Sequence, residues 1–201
     1  MIQTGVWEAL AVRDAESVFQ GGRMEFLDLV KNRYSVRTYK EDPVPEELLK
    51  TCLEAVRLAP SASNSQPWEF VVIQNPEIRD KIAKCTFSSL VPFNKFAIQA
   101  PVIVAVIMTK GHPIVQAGAG LQGTPFNLID IGIAAEHFCL QAAELDLGTC
   151  MLGWFNEKKV RTILDIPKTK KIALLITAGY PAGSPKPKKR KKLEEFVTFK
   201  R

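Results

Sequence analysis

Residues 126–147 are too apolar and too long to be anything but a buried element, and the rest of the chain has to be arranged around them. Phe126, Ile129, Ile133, Phe138, Leu140, Leu145 and Leu147 spread over most of a helix circumference, with Ala134, Ala135, Ala142 and Ala143 between them and Pro125 at a possible first helical position. The spacing predicts a helix of about six turns, roughly 33 Å long at 1.5 Å per residue. A helix apolar nearly all round is either a central core helix or a membrane span. Asp130, Glu136, His137, Glu144 and Asp146 break the run well below the length of apolar sequence a span needs, so the core reading stands and no membrane partner is expected.

A chain of 201 residues suits one domain with a sizeable core, or two small ones. At 46% apolar and 24% charged it has the balance of a globular protein rather than a disordered one. The net charge of +6 is local: Lys186, Lys188, Lys189, Arg190, Lys191 and Lys192 hold six of the 27 basic residues, and the remaining 21 match the 21 acidic ones. Such a cluster is a solvated segment, an anion site for a small ligand or a nucleic-acid patch. It has no interleaved aromatics and no recognisable reading motif, which argues against nucleic acid. Cys52, Cys85, Cys139 and Cys150 lie far apart, and the histidines are His112 and His137 alone, so neither a zinc site nor a disulfide framework is expected. That composition, with no basic-then-apolar leader at the N-terminus, predicts a reduced, cytoplasmic protein with residues 1–23 as an extension and 24–201 as a single domain.

In chain order, a short helix at 24–31 delivers the chain to Arg33, Ser35 and Arg37, two guanidinium forks and a hydroxyl able to donate to a phosphate or to face solvent. Pro45, Glu46 and Glu47 open a helix whose stripe is Leu48, Leu49, Cys52, Ala55, Val56 and Ala59. The segment 60–68 follows, with Pro60, Ser61, Ala62, Ser63, Asn64, Ser65, Gln66, Pro67 and Trp68 between that helix and a strand at 69–74. A polar loop between two buried elements satisfies its own backbone or binds something, and Asn64 and Gln66 can each donate and accept. A helix at 77–85 and an ambiguous stretch at 86–99 lead to an eight-residue apolar run, 101–108, read as a strand covered on both faces. Glycines and Pro113 predict a loop at 110–124, and the glycines around 148–153 predict an apolar turn in close backbone approach to another surface. Asn156 caps a helix at 157–164, and 171–178 reads as a further strand. Leu193, Phe196, Val197 and Phe199 make an apolar tail that needs a surface to dock on.

Taken together, Arg33-x-Ser35-x-Arg37, the 60–68 loop, the turn after the long helix, and Gly179-Tyr180-Pro181 followed by basic residues and Leu193-Glu194-Glu195 resemble the nitroreductase family of flavoproteins over residues 24–199. The resemblance implies an α+β fold with a mixed central sheet flanked by helices. It also implies a homodimer with the long helix at its interface and a C-terminal arm exchanged between subunits. Its cofactor would be FMN, with NAD(P)H as co-substrate. Residue by residue, Arg33, Ser35 and Arg37 would hold the phosphate and ribityl end, joined by Arg190, or by Lys188 or Lys189. Pro60, Ser61, Ala62 and Ser63 would line the flavin from the partner subunit, with Asn64 and Gln66 near its ring or ribityl chain, and Leu152 and Gly153 against the other side. The implied reaction is ping-pong hydride transfer from NAD(P)H to a nitroaromatic or quinone-like small-molecule acceptor. A dehalogenase or substrate-fragmenting enzyme of the same fold, or a non-enzymatic FMN-binding protein, are the alternatives. Flavin carries the redox chemistry, and no residue stands out as a catalytic acid, base or nucleophile.

Overall fold

The computed structural model describes residues 25–185 and 187–201; the expected extension 1–23, Met24 at the start of the expected first helix, and Lys186 lie outside them. Helix α1, Phe26–Asn32, belongs with the N-terminal unit and carries a Lys31–Asp28 ion pair of 2.8 Å along its own surface. Residues 33–201 form the second unit, which holds the sheet and the core.

The centre of that unit is a four-stranded sheet in the order β1, β2, β4, β3, from strands Trp68–Ile73, Val102–Met108, Lys171–Gly179 and Gly148–Leu152 respectively, numbered in chain order. All the strand pairs are antiparallel. One parallel bridge, Ser35 to Thr149 at the outer edge of β3, makes the sheet mixed. Strand β2 is buried from Val102 to Ile107, as a strand covered on both faces must be. Side chains alternate across a strand, so Val102, Val104 and Val106 face one apolar cluster while Ile103, Ala105 and Ile107 face another.

The first cluster is closed by helices α2, Glu46–Arg57, and α5, Phe126–Glu144, through Leu49, Cys52 and Val56 on one and Ile131, Ala134, Ala135, Phe138, Cys139 and Ala142 on the other. The second is closed by α3, Pro76–Ala83, and α6, Glu157–Ile163, through Ile82, Ala83 and Val160. Asn75 and Asn156 accept from the backbone N–H groups of Ile78 and Lys159 and so start α3 and α6. Burial pushes the thiols of Cys52 and Cys139 up to about 12, as suits small core residues. Among the described residues no helix is long and apolar enough to cross a membrane.

Two segments differ from the sequence-based expectation. Residues 110–124 contain a ten-residue helix, α4, Pro113–Gln122. Pro113 takes the first helical position, and Gly118 and Gly120 cost only about 1 kcal/mol each relative to alanine, too little to forbid a helix. The expected turn at 148–153 is strand β3, because its backbone completes the ladder with β4 from Gly148↔Gly179 to Leu152↔Leu175. The close approach expected there does occur at Gly148, where an added Cβ would sit 2.3 Å from Val36 Cγ2. The substitution Gly148→Ala is expected to destabilise the protein by about 1–3 kcal/mol through overpacking, read as a lower urea midpoint at unchanged slope.

Candidate functional site

The stretch that carries Arg33, Ser35 and Arg37 is tied down at several points along its length. Val36 N–H donates to Thr149 O at 2.9 Å, Lys40 N–H to Tyr180 O at 2.9 Å and Ala182 N–H to Thr38 O at 3.0 Å. Tyr34 Oη donates to Gly183 O at 2.9 Å. Val36 is buried, while Ser35 and Arg37 on either side of it are exposed, which is the alternation of an extended segment laid along a sheet edge. Tyr39 anchors the far end, with its hydroxyl 2.7 Å from Thr177 Oγ1 and donating to Val36 O at 3.0 Å. Desolvation holds that phenol well above its ordinary range, partly offset by the Thr177 hydrogen bond.

This pairing decides where the basic cluster goes. Residues 180–183 leave the end of β4 alongside residues 34–40, with Gly183 O held by Tyr34 Oη, next in sequence to Arg33. Lys188 is a residue of the basic segment that interacts electrostatically with Arg33. Its ammonium is shifted below the usual lysine range, by partial desolvation first and then by the positive charges of Arg33 and Arg190, against the pull of Glu136. Lys188 thus lies within the fields of Arg33, Arg190 and Glu136, and Glu136 Oε1 stands 3.3 Å from Arg33 Nε. Arg37 points elsewhere: its Nη1 donates to Ser35 O at 3.2 Å, and its guanidinium carbon lies 5.8 Å from the Phe96 ring centroid, in cation–π range. Beneath this surface Cys150 is buried. Burial raises its thiol pKa, and Arg37, a Ser35 hydrogen bond and Arg33 only partly offset that, so it is a neutral thiol rather than a nucleophile.

The 60–67 loop is backbone-strained. Ser63, Asn64 and Gln66 all have positive φ, at 50°, 50° and 44°, in the left-handed region that side chains other than glycine seldom adopt. Such positions cost about 1–3 kcal/mol each and persist only where surrounding bonds over-determine them. Those bonds are present. Gln66 N–H donates to Ser61 Oγ at 2.9 Å, Gln66 Nε2 donates to Asn64 Oδ1 at 3.0 Å, and His112 N–H donates to Ser65 Oγ at 2.6 Å. Ala62 N–H donates to Asp130 Oδ1 at 3.0 Å. Asn64 and Gln66 therefore stabilise the loop as well as presenting amide groups at its exposed surface.

Asp130 is a site residue that the sequence reading did not single out. It is 3% exposed inside α5, and its Oδ2 is buried without a hydrogen-bond partner. The signal was available: Asp130 falls four and eight residues before Ala134 and Phe138, on the buried stripe, and an acid there needs a reason. Its helix thus holds the strained loop from below.

At the far end of β3, Leu152 is 3% exposed and the next residue, Gly153, is open, with nothing within 4 Å of where a Cβ would stand. Trp154 and Phe93 lie beyond it, 58% and 60% exposed, with ring centroids 6.4 Å apart. Asn94 Nδ2 donates to Trp154 O at 3.1 Å and fixes this pair at the end of the strand. His137 Nδ1 lies 2.9 Å from Ile133 O within its own helix.

The tie between Asp130 and the loop has a measurable consequence. Asp130→Ala is expected to speed amide exchange at Ala62 about tenfold, the loss of roughly 1.4 kcal/mol of local protection, while Asp130→Asn, which keeps an acceptor, is expected to slow it back toward the parent rate.

A profile of the Nitroreductase family matches residues 30–93 and 89–180. A Methanothermobacter thermautotrophicus protein provisionally named NADH dehydrogenase/NAD(P)H nitroreductase is 31% identical over 168 residues, covering 81% of each chain. Rat iodotyrosine deiodinase 1 is 26% identical over 201 residues, covering 86% of this chain and 68% of that protein. The crystal structure of an FMN-dependent nitroreductase from Clostridium difficile R20291 superposes with a TM-score of 0.71 at 26% identity, covering 87% of this chain and 98% of the other. With the profile matching most of the strands and helices that build the site, the chain belongs to the nitroreductase family of FMN- and NAD(P)H-linked oxidoreductases.

Proposed function

We propose that the protein binds one FMN at each of two sites in a homodimer and uses NAD(P)H to reduce nitroaromatic or quinone-like acceptors in a ping-pong cycle. The observation that carries this reading is the electrostatic approach of Lys188 to Arg33, favoured by the pairing of residues 34–40 with 180–183. A cluster of guanidinium and ammonium groups beside a serine hydroxyl suits a phosphate. The residues also fit the rest of the cofactor: Gly153 leaves bare backbone where a planar ring needs room, and Asn64 and Gln66 carry amides able to meet heteroatoms.

In this reading Arg33, Ser35 and Arg190, with Lys188 beside them, hold the phosphate end, and Arg37 guards it from its stack on Phe96. Pro60, Ser61, Ala62, Ser63, Asn64 and Gln66 of the second copy line one side of the flavin, and Leu152 and Gly153 lie against the other. When bound, FMN supplies the two-electron chemistry between nicotinamide and acceptor. The chain's own contribution is orientation, charge and exclusion of water. The over-determined 60–67 loop presents fixed backbone and amide groups, which need little reorganisation when a ligand arrives.

The second copy is supported by what one copy leaves exposed. Helix α5 buries one face against the sheet, yet Leu128 and Ile129 on another are 46% and 51% exposed. The arm leaves Leu193, Phe196 and Phe199 at 57%, 64% and 73% exposed. Apolar area of this kind on a helix and a tail together suits an obligate dimer interface, with the arm crossing to the other subunit.

The deiodinase relative favours one other reading, in which the same flavin site serves reductive removal of a halogen from an aromatic substrate. Anaerobic stopped-flow reduction by NADH and NADPH, followed by a panel of nitroaromatic, quinone and halophenol acceptors, separates the two. Rapid turnover of menadione or nitrofurazone is expected; purified protein that is colourless and gains no flavin spectrum on adding FMN would overturn the proposal. Arg33→Ala is expected to weaken FMN binding by about 1.5–3 kcal/mol, the worth of a charged hydrogen bond, measured by fluorescence titration. Ile129→Lys is expected to shift the sedimenting species from dimer toward monomer.

A further inference from the structure

The positive cluster contains its own counter-ion. Glu136 projects from α5 toward Arg33, with its Oε1 3.3 Å from Arg33 Nε, and its charge also acts on Lys188. We infer that Glu136 is an internal competitor for the flavin phosphate: it partly neutralises Arg33 when no anion is bound, and its charge lowers the affinity of the site for the phosphate end of FMN. The inference rests on the flavin reading above and names a residue that sets how tightly that site retains its cofactor.

Two roles are open to an acid in this position, and the geometry separates them. An acid that positions an arginine does so through short charge-assisted bonds of about 2.7–2.9 Å, often in pairs. The Glu136 contact is a single one at 3.3 Å, a loose electrostatic pairing rather than a clamp. Repulsion between a carboxylate and a phosphate carrying close to two negative charges needs no such geometry and acts over several ångströms. The side chains also differ in freedom, since Arg33 is 20% exposed and Glu136 44%. When a phosphate approaches, the carboxylate is the partner that can turn into water, and Arg33 is the one that stays. The same carboxylate acts on Lys188, so its charge opposes two of the three cations that would receive the anion.

The test uses a ligand pair that differs only in the phosphate. FMN and riboflavin are titrated into the flavin-free full-length protein and into Glu136→Gln and Glu136→Ala, followed by flavin fluorescence at low ionic strength. Both substitutions are expected to tighten FMN binding about tenfold, the scale of one charge–charge interaction between partly exposed groups, and to change riboflavin binding by less than about twofold. FMN affinity that is unchanged or weaker in both variants overturns the inference, as does an equal change for riboflavin, which would mean that Glu136 shapes the pocket rather than opposing the phosphate. If neither flavin binds to the parent protein or the variants, the flavin reading itself falls and takes this one with it.

Discussion

The contact between Gly148 and Val36 sets the geometry of everything that follows in the site. With no side chain at Gly148, Val36 packs against the start of β3, and its N–H reaches Thr149 O at 2.9 Å. That single parallel pairing lays residues 34–40 along the edge of an otherwise antiparallel sheet and turns Ser35 and Arg37 outward on either side of a buried valine. Because the same stretch also pairs with 180–183, the chain leaving β4 passes Tyr34, and Lys188 further on interacts with Arg33. A charge cluster that repels itself is held together by backbone hydrogen bonds made some distance away from it.

The second half of the site is built on the other principle, local strain held by outside bonds. Residues 63, 64 and 66 occupy left-handed backbone that the loop would not choose alone. Asp130 from the buried face of α5 and His112 from the segment before α4 supply two of the bonds that keep it there. The long helix therefore has two roles. Its buried stripe closes the larger core cluster, and its polar interruptions, Asp130 and Glu136, face the loop and the positive cluster respectively. Acids that looked like mere breaks in an apolar run each meet a specific partner, Ala62 N–H for Asp130 and Arg33 for Glu136.

Much of the frame was legible because periodicity reports burial directly. The continuous apolar run at β2, the stripe on α2, the caps at Asn75 and Asn156 and the long helix all follow from local residue order. The glycine-rich stretches misled for a physical reason. Glycine's freedom permits a loop but does not require one, so the helix at Pro113–Gln122 and the strand at Gly148–Leu152 were decided by neighbouring residues and by pairing with β4. The motif residues were visible as motifs, yet their arrangement was not. Arg33 and Arg37 sit four apart and look equivalent, but one faces Lys188 and Glu136 while the other lies over Phe96.

By itself the sequence determined that this chain has a two-faced sheet, an overlong apolar helix, a basic segment and a set of motifs that resemble one flavoprotein family, because each of those is written in residue type and spacing. Only the tertiary structure decided which cation meets which acid, that a buried aspartate holds a strained loop, and that Gly148 rather than Gly153 is the point of close contact. Those facts join Ala62 to Asp130, Arg33 to Glu136 and Val36 to Gly148, and a pairing across such distances depends on packing, which no local pattern encodes.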